Sequence, residues 1–69
     1  MIYQTIYLAA GGTGGHIFPA LAVAEAMNAK GYHSVLFTDR RGKKLLADLG
    51  TLPVKVRVIS AASPFQSGL

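Results

Sequence analysis

Cysteine is absent from these 69 residues, which excludes a disulfide staple and a thiolate metal site. A chain this short lies near the lower limit for one autonomous core, so it holds one domain at most and reads as part of one. The N-terminus has no positively charged leader, and the longest apolar stretch, residues 17–27, contains Glu25 and is too short to span a bilayer. Together with the missing cysteines, this sets the expectation of a cytoplasmic protein. Internal repeats and low-complexity tracts are also missing. Acidic side chains are scarce, three against seven Lys and Arg, and the net charge is +4. Four of the seven cations fall in Arg40-Arg41-Gly42-Lys43-Lys44, a patch that suits phosphates, nucleic acid or an anionic membrane surface, or is simply a solvated turn. No stacking-aromatic ladder or zinc-ligand spacing accompanies it, so nucleic acid is not expected as a partner.

What is present is apolar. With 51% hydrophobic and only 14% charged residues, the composition is that of the inner portion of a larger α/β domain. Residues 2–9 read as a first strand, whose unbroken apolar end Ile6-Tyr7-Leu8-Ala9 suits a parallel strand buried on both faces. A helix is predicted to begin near Phe18 or Pro19, since proline is tolerated in a first helical turn. Its stripe is Ala20, Val23, Ala24 and Met27, widened by Leu21, and packing through Val23, Ala24 and Met27 is expected. Gly31 has the place of a helix-terminating glycine, and residues 34–38 read as a second strand. A polar turn at residues 39–42, a short helix at 43–49 with Leu45, Leu46 and Leu49 on one side, and a stop at Gly50 follow. Val54, Val56 and Val58 alternate with Lys55 and Arg57 in a third strand with one face or edge more open to water. Residues 60–69 read as loop. The fold class is therefore α/β, a Rossmann-like βαβαβ fragment with a parallel sheet in the order 3-2-1 or with the first strand central.

Between the first strand and the first helix stands Ala9-Ala10-Gly11-Gly12-Thr13-Gly14-Gly15-His16. Glycine has no Cβ and tolerates positive φ, so such a turn lets backbone N–H groups approach an anion closely. The same glycines also suit tight strand-to-helix packing whatever is bound. A P-loop is excluded because no lysine follows the glycines. A dinucleotide fingerprint is incomplete, because counting from Gly12 its third glycine position holds Ile17. Asp39, at the end of the second strand, stands where an acid would hold a ribose hydroxyl, and equally where a turn-forming Asp belongs.

The continuous run from Gly11 through His16-Ile17-Phe18-Pro19 to Ala24 is more specific than a generic glycine loop. It closely resembles the N-terminal motif of the MurG family, the bacterial peptidoglycan N-acetylglucosaminyltransferases of the GT-B class. The similarity covers roughly residues 6–37 and weakens after Asp39. It implies residues 1–69 to be a partial N-terminal, acceptor-binding Rossmann-like domain, with the C-terminal domain that holds the sugar nucleotide absent. The implied reaction transfers N-acetylglucosamine from UDP-N-acetylglucosamine to lipid I, giving lipid II, by inversion at the cytoplasmic face of the inner membrane. No cofactor or metal is implied. A stand-alone phosphate- or nucleotide-binding module without catalysis and a dinucleotide-binding fragment of an oxidoreductase are the competing readings.

Under the resemblance, Gly11, Gly12, Thr13, Gly14, Gly15 and His16 are the substrate-binding residues, with the turn and helix start facing the acceptor diphosphate. His16 is the only side chain of the loop able to exchange a proton near neutral pH. A helix start favours its neutral form, as a general base or a partner for a sugar hydroxyl requires. It is the candidate catalytic residue, as base or as binding group. Thr13 adds a hydroxyl to the donors or caps a local turn. Phe18 and Pro19 are expected to fix the helix entry, Tyr3 and Tyr7 to be strand residues, and His33 to serve surface or packing.

Overall fold

The computed structural model describes residues 4–59. Five elements alternate: β1 (Thr5–Ala9), α1 (Gly14–Ala29), β2 (His33–Thr38), α2 (Arg40–Ala47) and β3 (Lys55–Val58). The strands form one parallel sheet in the order β1-β2-β3, with Leu8 beside Leu36 and Leu36 beside Val56. This is the expected βαβαβ arrangement in the 3-2-1 order. Residues 2 and 3 of the predicted first strand, Tyr3 included, and the predicted loop at 60–69 lie outside the described residues.

Side chains alternate across a strand, so one face of the sheet carries Leu8, Leu36 and Val56 toward the helices. Ile17 of α1, Leu36 of β2 and Leu46 of α2 meet as the buried centre, surrounded by Leu8, Ala20, Leu21, Leu45, Leu52, Val54 and Val56. Full burial of such an aliphatic side chain contributes about 1.5–3 kcal/mol, so these three anchor both helices to one sheet face. The other face differs from expectation. Tyr7 is 68% exposed and stacks on Phe37 with ring centroids 6.0 Å apart, so the apolar runs of β1 and β2 are buried on one side only among the described residues. In β3, Lys55 and Arg57 are exposed and Val56 is half-buried, which matches the expected open face.

Helix α1 begins four residues earlier than Phe18. Thr13 has an extended backbone and takes the N-cap position, and its carbonyl accepts from His16 N–H and Ile17 N–H at 3.1 and 3.0 Å. Gly14, Gly15 and His16 are thereby helical. Pro19 consequently lies inside the helix and deprives the Gly15 carbonyl of its usual i+4 donor. The early start also shifts the buried stripe, which runs through Ile17, Ala20, Leu21, Ala24 and Met27. Val23 is 48% exposed, contrary to expectation, because it lies about 100° from the buried Ala24 on the helix wheel, outside the stripe. Phe18, also exposed, rests its ring near Gly14 and not in the core.

The end of α1 is as predicted. Gly31 adopts φ +93°, its N–H donates to the Asn28 carbonyl, and Tyr32 N–H donates to the Met27 carbonyl, a Schellman closure. Asn28, outside the predicted stripe, is half-buried: its side chain accepts from Ser34 Oγ at 2.8 Å and donates to the Pro53 carbonyl, tying α1 to β2 and to the lead-in of β3.

Helix α2 corrects a second boundary. Arg40, Arg41 and Gly42 are helical, not a turn, because Asp39 caps the helix ahead of them. Leu46 is buried and Leu45 half-buried, whereas Leu49 lies beyond the helix and is exposed. The helix ends at Ala47 with Asp48 as its C-cap, two residues before the expected end, and Gly50, at φ +79°, follows in the turn beyond it.

Candidate functional site

Ligands of open parallel sheets sit outside the carboxyl ends of the strands. Here that edge holds the glycine turn, the start of α1 and the start of α2. Ala10 N–H extends the sheet ladder to the Phe37 carbonyl at 3.0 Å, and Thr13 N–H folds back onto the Gly11 carbonyl at 2.8 Å. A cleft of about 250 Å³ opens beside them, lined by Ala9, Ala10, Gly11, Phe37, Thr38, Asp39 and Ile59. A larger hollow, about 680 Å³, lies at the opposite edge between Thr5, His33 and Lys55. Its polar groups at Asn28 and Ser34 are already bonded to each other, and the glycine on its rim is the helix-terminating Gly31. The candidate site is therefore placed at the carboxyl edge, where the smaller cleft takes in Gly11 and Asp39 while Thr13, Gly14, Gly15 and His16 lie outside its lining.

The glycines of the turn divide by role. Gly12 N–H donates to Asp39 Oδ2 at 3.1 Å, while Gly42 N–H donates to Asp39 Oδ1 at 2.8 Å. A Cβ on Gly12 would lie 2.5 Å from Arg41 Cβ and 2.6 Å from Asp39 Oδ1, so this glycine lets the turn lie flat on the start of α2. Its N–H is turned to an internal carboxylate. Gly14 and Gly15 are different. They open α1, and among the described residues their N–H groups have no hydrogen-bond partner, as first-turn donors do not within a helix. Around Gly15 a Cβ would meet nothing nearer than Thr13 Oγ1 at 3.8 Å. The Thr13 hydroxyl makes no capping bond. The open donors are thus at Thr13, Gly14 and Gly15, reinforced by the positive end of a 16-residue helix.

His16 sits in the same first turn, exposed, with its backbone held by Thr13. His33 lies at the start of β2, at the far edge of the sheet, so the two histidines do not share a site. Asp39 is half-buried, and its carboxyl is held below the ordinary value of 3.8. The Gly42 N–H is the main cause; partial burial opposes it, and the Gly12 N–H and the Arg41 charge add to it. Both oxygens accept from backbone N–H groups, so Asp39 caps α2, the turn-forming role, and also holds the glycine turn. Sequence reasoning weighed the turn role but had no signal for the contact to Gly12, 27 residues away. Among the described residues no helix is long and apolar enough to cross a membrane.

Residues 6–64, from β1 through both helices and β3, match the glycosyltransferase family 28 N-terminal domain. The chain belongs to this family. Relatives agree with the assignment. The chain is 43% identical over 65 residues, 94% of its length, to a protein of Phenylobacterium zucineum. It is 53% identical over 57 residues, 83% of its length, to one of Maricaulis maris. A third, from the Wolbachia of Drosophila simulans, is 59% identical over 39 residues, 56% of the chain. Each is named UDP-N-acetylglucosamine–N-acetylmuramyl-(pentapeptide) pyrophosphoryl-undecaprenol N-acetylglucosamine transferase. The matches span 17%, 15% and 11% of those three relatives. No solved structure matches the chain. Family 28 membership gives the turn its context: a strand, a glycine turn and a helix start at the N-terminal end of a transferase domain.

Proposed function

We propose that this chain supplies the acceptor side of an N-acetylglucosaminyltransferase that converts lipid I to lipid II. The supporting observation is the juxtaposition of the open Gly14 and Gly15 N–H groups with His16 at the carboxyl edge of a family 28 sheet. The names of the relatives specify a UDP-linked donor sugar and a pyrophosphoryl-undecaprenol acceptor. A diphosphate seated at the start of α1 would meet backbone donors and the helix dipole, which stabilise negative charge without reorganisation. Gly11 and Gly12 shape the approach, and Thr13 adds its hydroxyl.

The reaction is a single displacement. The acceptor's sugar hydroxyl attacks the anomeric carbon, the bond to UDP breaks, and the hydroxyl proton passes to a base, for which His16 is the candidate. A polyprenol-linked acceptor brings the enzyme to a membrane surface, so peripheral attachment at the cytoplasmic face of the inner membrane belongs to the same proposal. The cations of α2 suit an anionic surface there.

The deciding experiment presents the intact protein with UDP-N-acetylglucosamine and a soluble lipid I analogue, and follows product by mass and anomeric configuration. Transfer with inversion is expected. Hydrolysis of the donor without transfer, or retention of configuration, would refute the proposal. The isolated 69-residue segment is expected to give no transfer, because the donor side is assigned to other parts of the enzyme.

A further inference from the structure

We propose that Asp39 is a positioning residue of the acceptor site: its carboxylate clamps the glycine turn onto the start of α2 and thereby fixes the Gly14 and Gly15 N–H groups and His16. The inference rests on the transfer reading above and deepens it.

Capping α2 requires only one carboxylate oxygen, and Oδ1 does this at Gly42. The second oxygen crosses to Gly12, on the exit from β1. Only Thr13 separates Gly12 from the first helical residue, and Thr13 is itself held by the Gly11 carbonyl. Anchoring Gly12 therefore anchors the entry to α1. The need is physical. Glycine-rich turns have wide backbone freedom, and donors that must meet a developing or fixed charge work only when held in place beforehand. The tight fit of Gly12 on Arg41 and Asp39 leaves the turn little room to slide while the clamp is closed.

The clamp and the cap can be separated. In Asp39→Asn one oxygen remains, so only one of the Gly12 and Gly42 N–H groups keeps an acceptor, and asparagine is as good an N-cap as aspartate. In Asp39→Ser the hydroxyl caps α2 but is too short to reach Gly12. Both variants in the full-length transferase should keep the wild-type far-UV spectrum. Their kcat/KM for the lipid I analogue should fall on the order of 10- to 100-fold, the scale of a small displacement of positioning groups, with KM for UDP-N-acetylglucosamine unchanged. Wild-type acceptor kinetics in both variants would overturn the proposal, as would equal losses toward donor and acceptor.

Amide hydrogen exchange supplies a readout independent of catalysis, and its wild-type arm is independent of variant folding. Gly12 N–H of the wild-type protein should be protected, and its exchange should accelerate at least about tenfold in Asp39→Ser, as opening of a local contact requires. Exchange of wild-type Gly12 at the rate of an exposed amide overturns the clamp even if transfer is observed. Protection of Gly12 in a protein that transfers no sugar would leave the clamp standing and remove the transfer reading.

Discussion

A β carbon placed on Gly42 would fall 1.9 Å from Thr38 Oγ1 and 3.0 Å from Thr38 Cβ. The first turn of α2 therefore sits directly on the last residue of β2, and Thr38 is only 2% exposed, its hydroxyl buried without a partner among the described residues. Gly42→Ala gains about 1 kcal/mol of helix propensity but forces two packed elements apart. Overpacking costs about 1–3 kcal/mol, so a net loss is expected. Urea unfolding measures it. The double change Thr38→Ala with Gly42→Ala should recover part of the loss, giving a favourable coupling in the cycle; additive losses would show that the two residues do not touch.

Gly12 and Gly15 should respond oppositely to alanine. At Gly12 the new methyl meets Arg41 Cβ and Asp39, so Gly12→Ala should lower the unfolding midpoint; at Gly15 the nearest atom lies 3.8 Å off. Gly15→Ala should leave stability unchanged or slightly raised, since alanine is favoured in a helix. Any loss of transfer in Gly15→Ala then reports interference with the substrate and not with folding. Comparing midpoints with acceptor KM for both variants separates the two roles.

Most of the architecture was legible because its signals are local: the alternating strand and helix patterns, the terminating glycine at 31, and the glycine turn after Ala9. The two helix starts were not. Each depends on a cap whose effect is invisible in hydrophobic periodicity: the Thr13 carbonyl carries α1 back to Gly14, and Asp39 carries α2 back to Arg40. The site was legible as a glycine motif and a histidine. The division of its donors between Asp39 and solvent was not, because it depends on a contact across 27 residues.

The corrected stripe of α1 takes Val23 out of the expected packing face and puts Ile17 into it. Val23→Asp, on a half-exposed position, should change stability by no more than about 0.5 kcal/mol, the ordinary range for surface substitutions. Ile17→Ala, at a fully buried position between both helices and the sheet, should cost about 2–5 kcal/mol. Chemical denaturation of the two variants ranks them, and a larger loss at Val23 would restore the periodicity-based stripe.

Asp39 should leave a mark on acid unfolding. Its carboxyl is held below 3.8 in the folded protein, first by Gly42 N–H and further by Gly12 N–H and Arg41. A depressed folded-state value means that the contribution is complete above the unfolded value and fades as pH falls through the folded one. The difference in melting temperature between wild type and Asp39→Asn should therefore be flat from about pH 5 to 7 and change progressively below about pH 4. A difference that stays constant down to pH 2 would mean that the two N–H contacts do not favour the ionised form.

His16 provides the sharpest test of the chemistry. It stands one residue past the open Gly14 and Gly15 donors, exposed, with its backbone fixed by Thr13. If it takes the proton of the attacking hydroxyl, His16→Ala in the full-length transferase should lower kcat on the order of 10²–10⁴-fold, the usual loss for a general base, while KM for the donor stays near wild type. His16→Gln can still hold a hydroxyl by hydrogen bonding but cannot accept its proton, so it should restore acceptor KM without restoring kcat. The pH profile completes the separation: the wild-type limb that reports an essential base should disappear in both variants. Near-normal kcat in His16→Ala and His16→Gln, with only acceptor KM raised, would reduce His16 to a binding residue and move the base elsewhere.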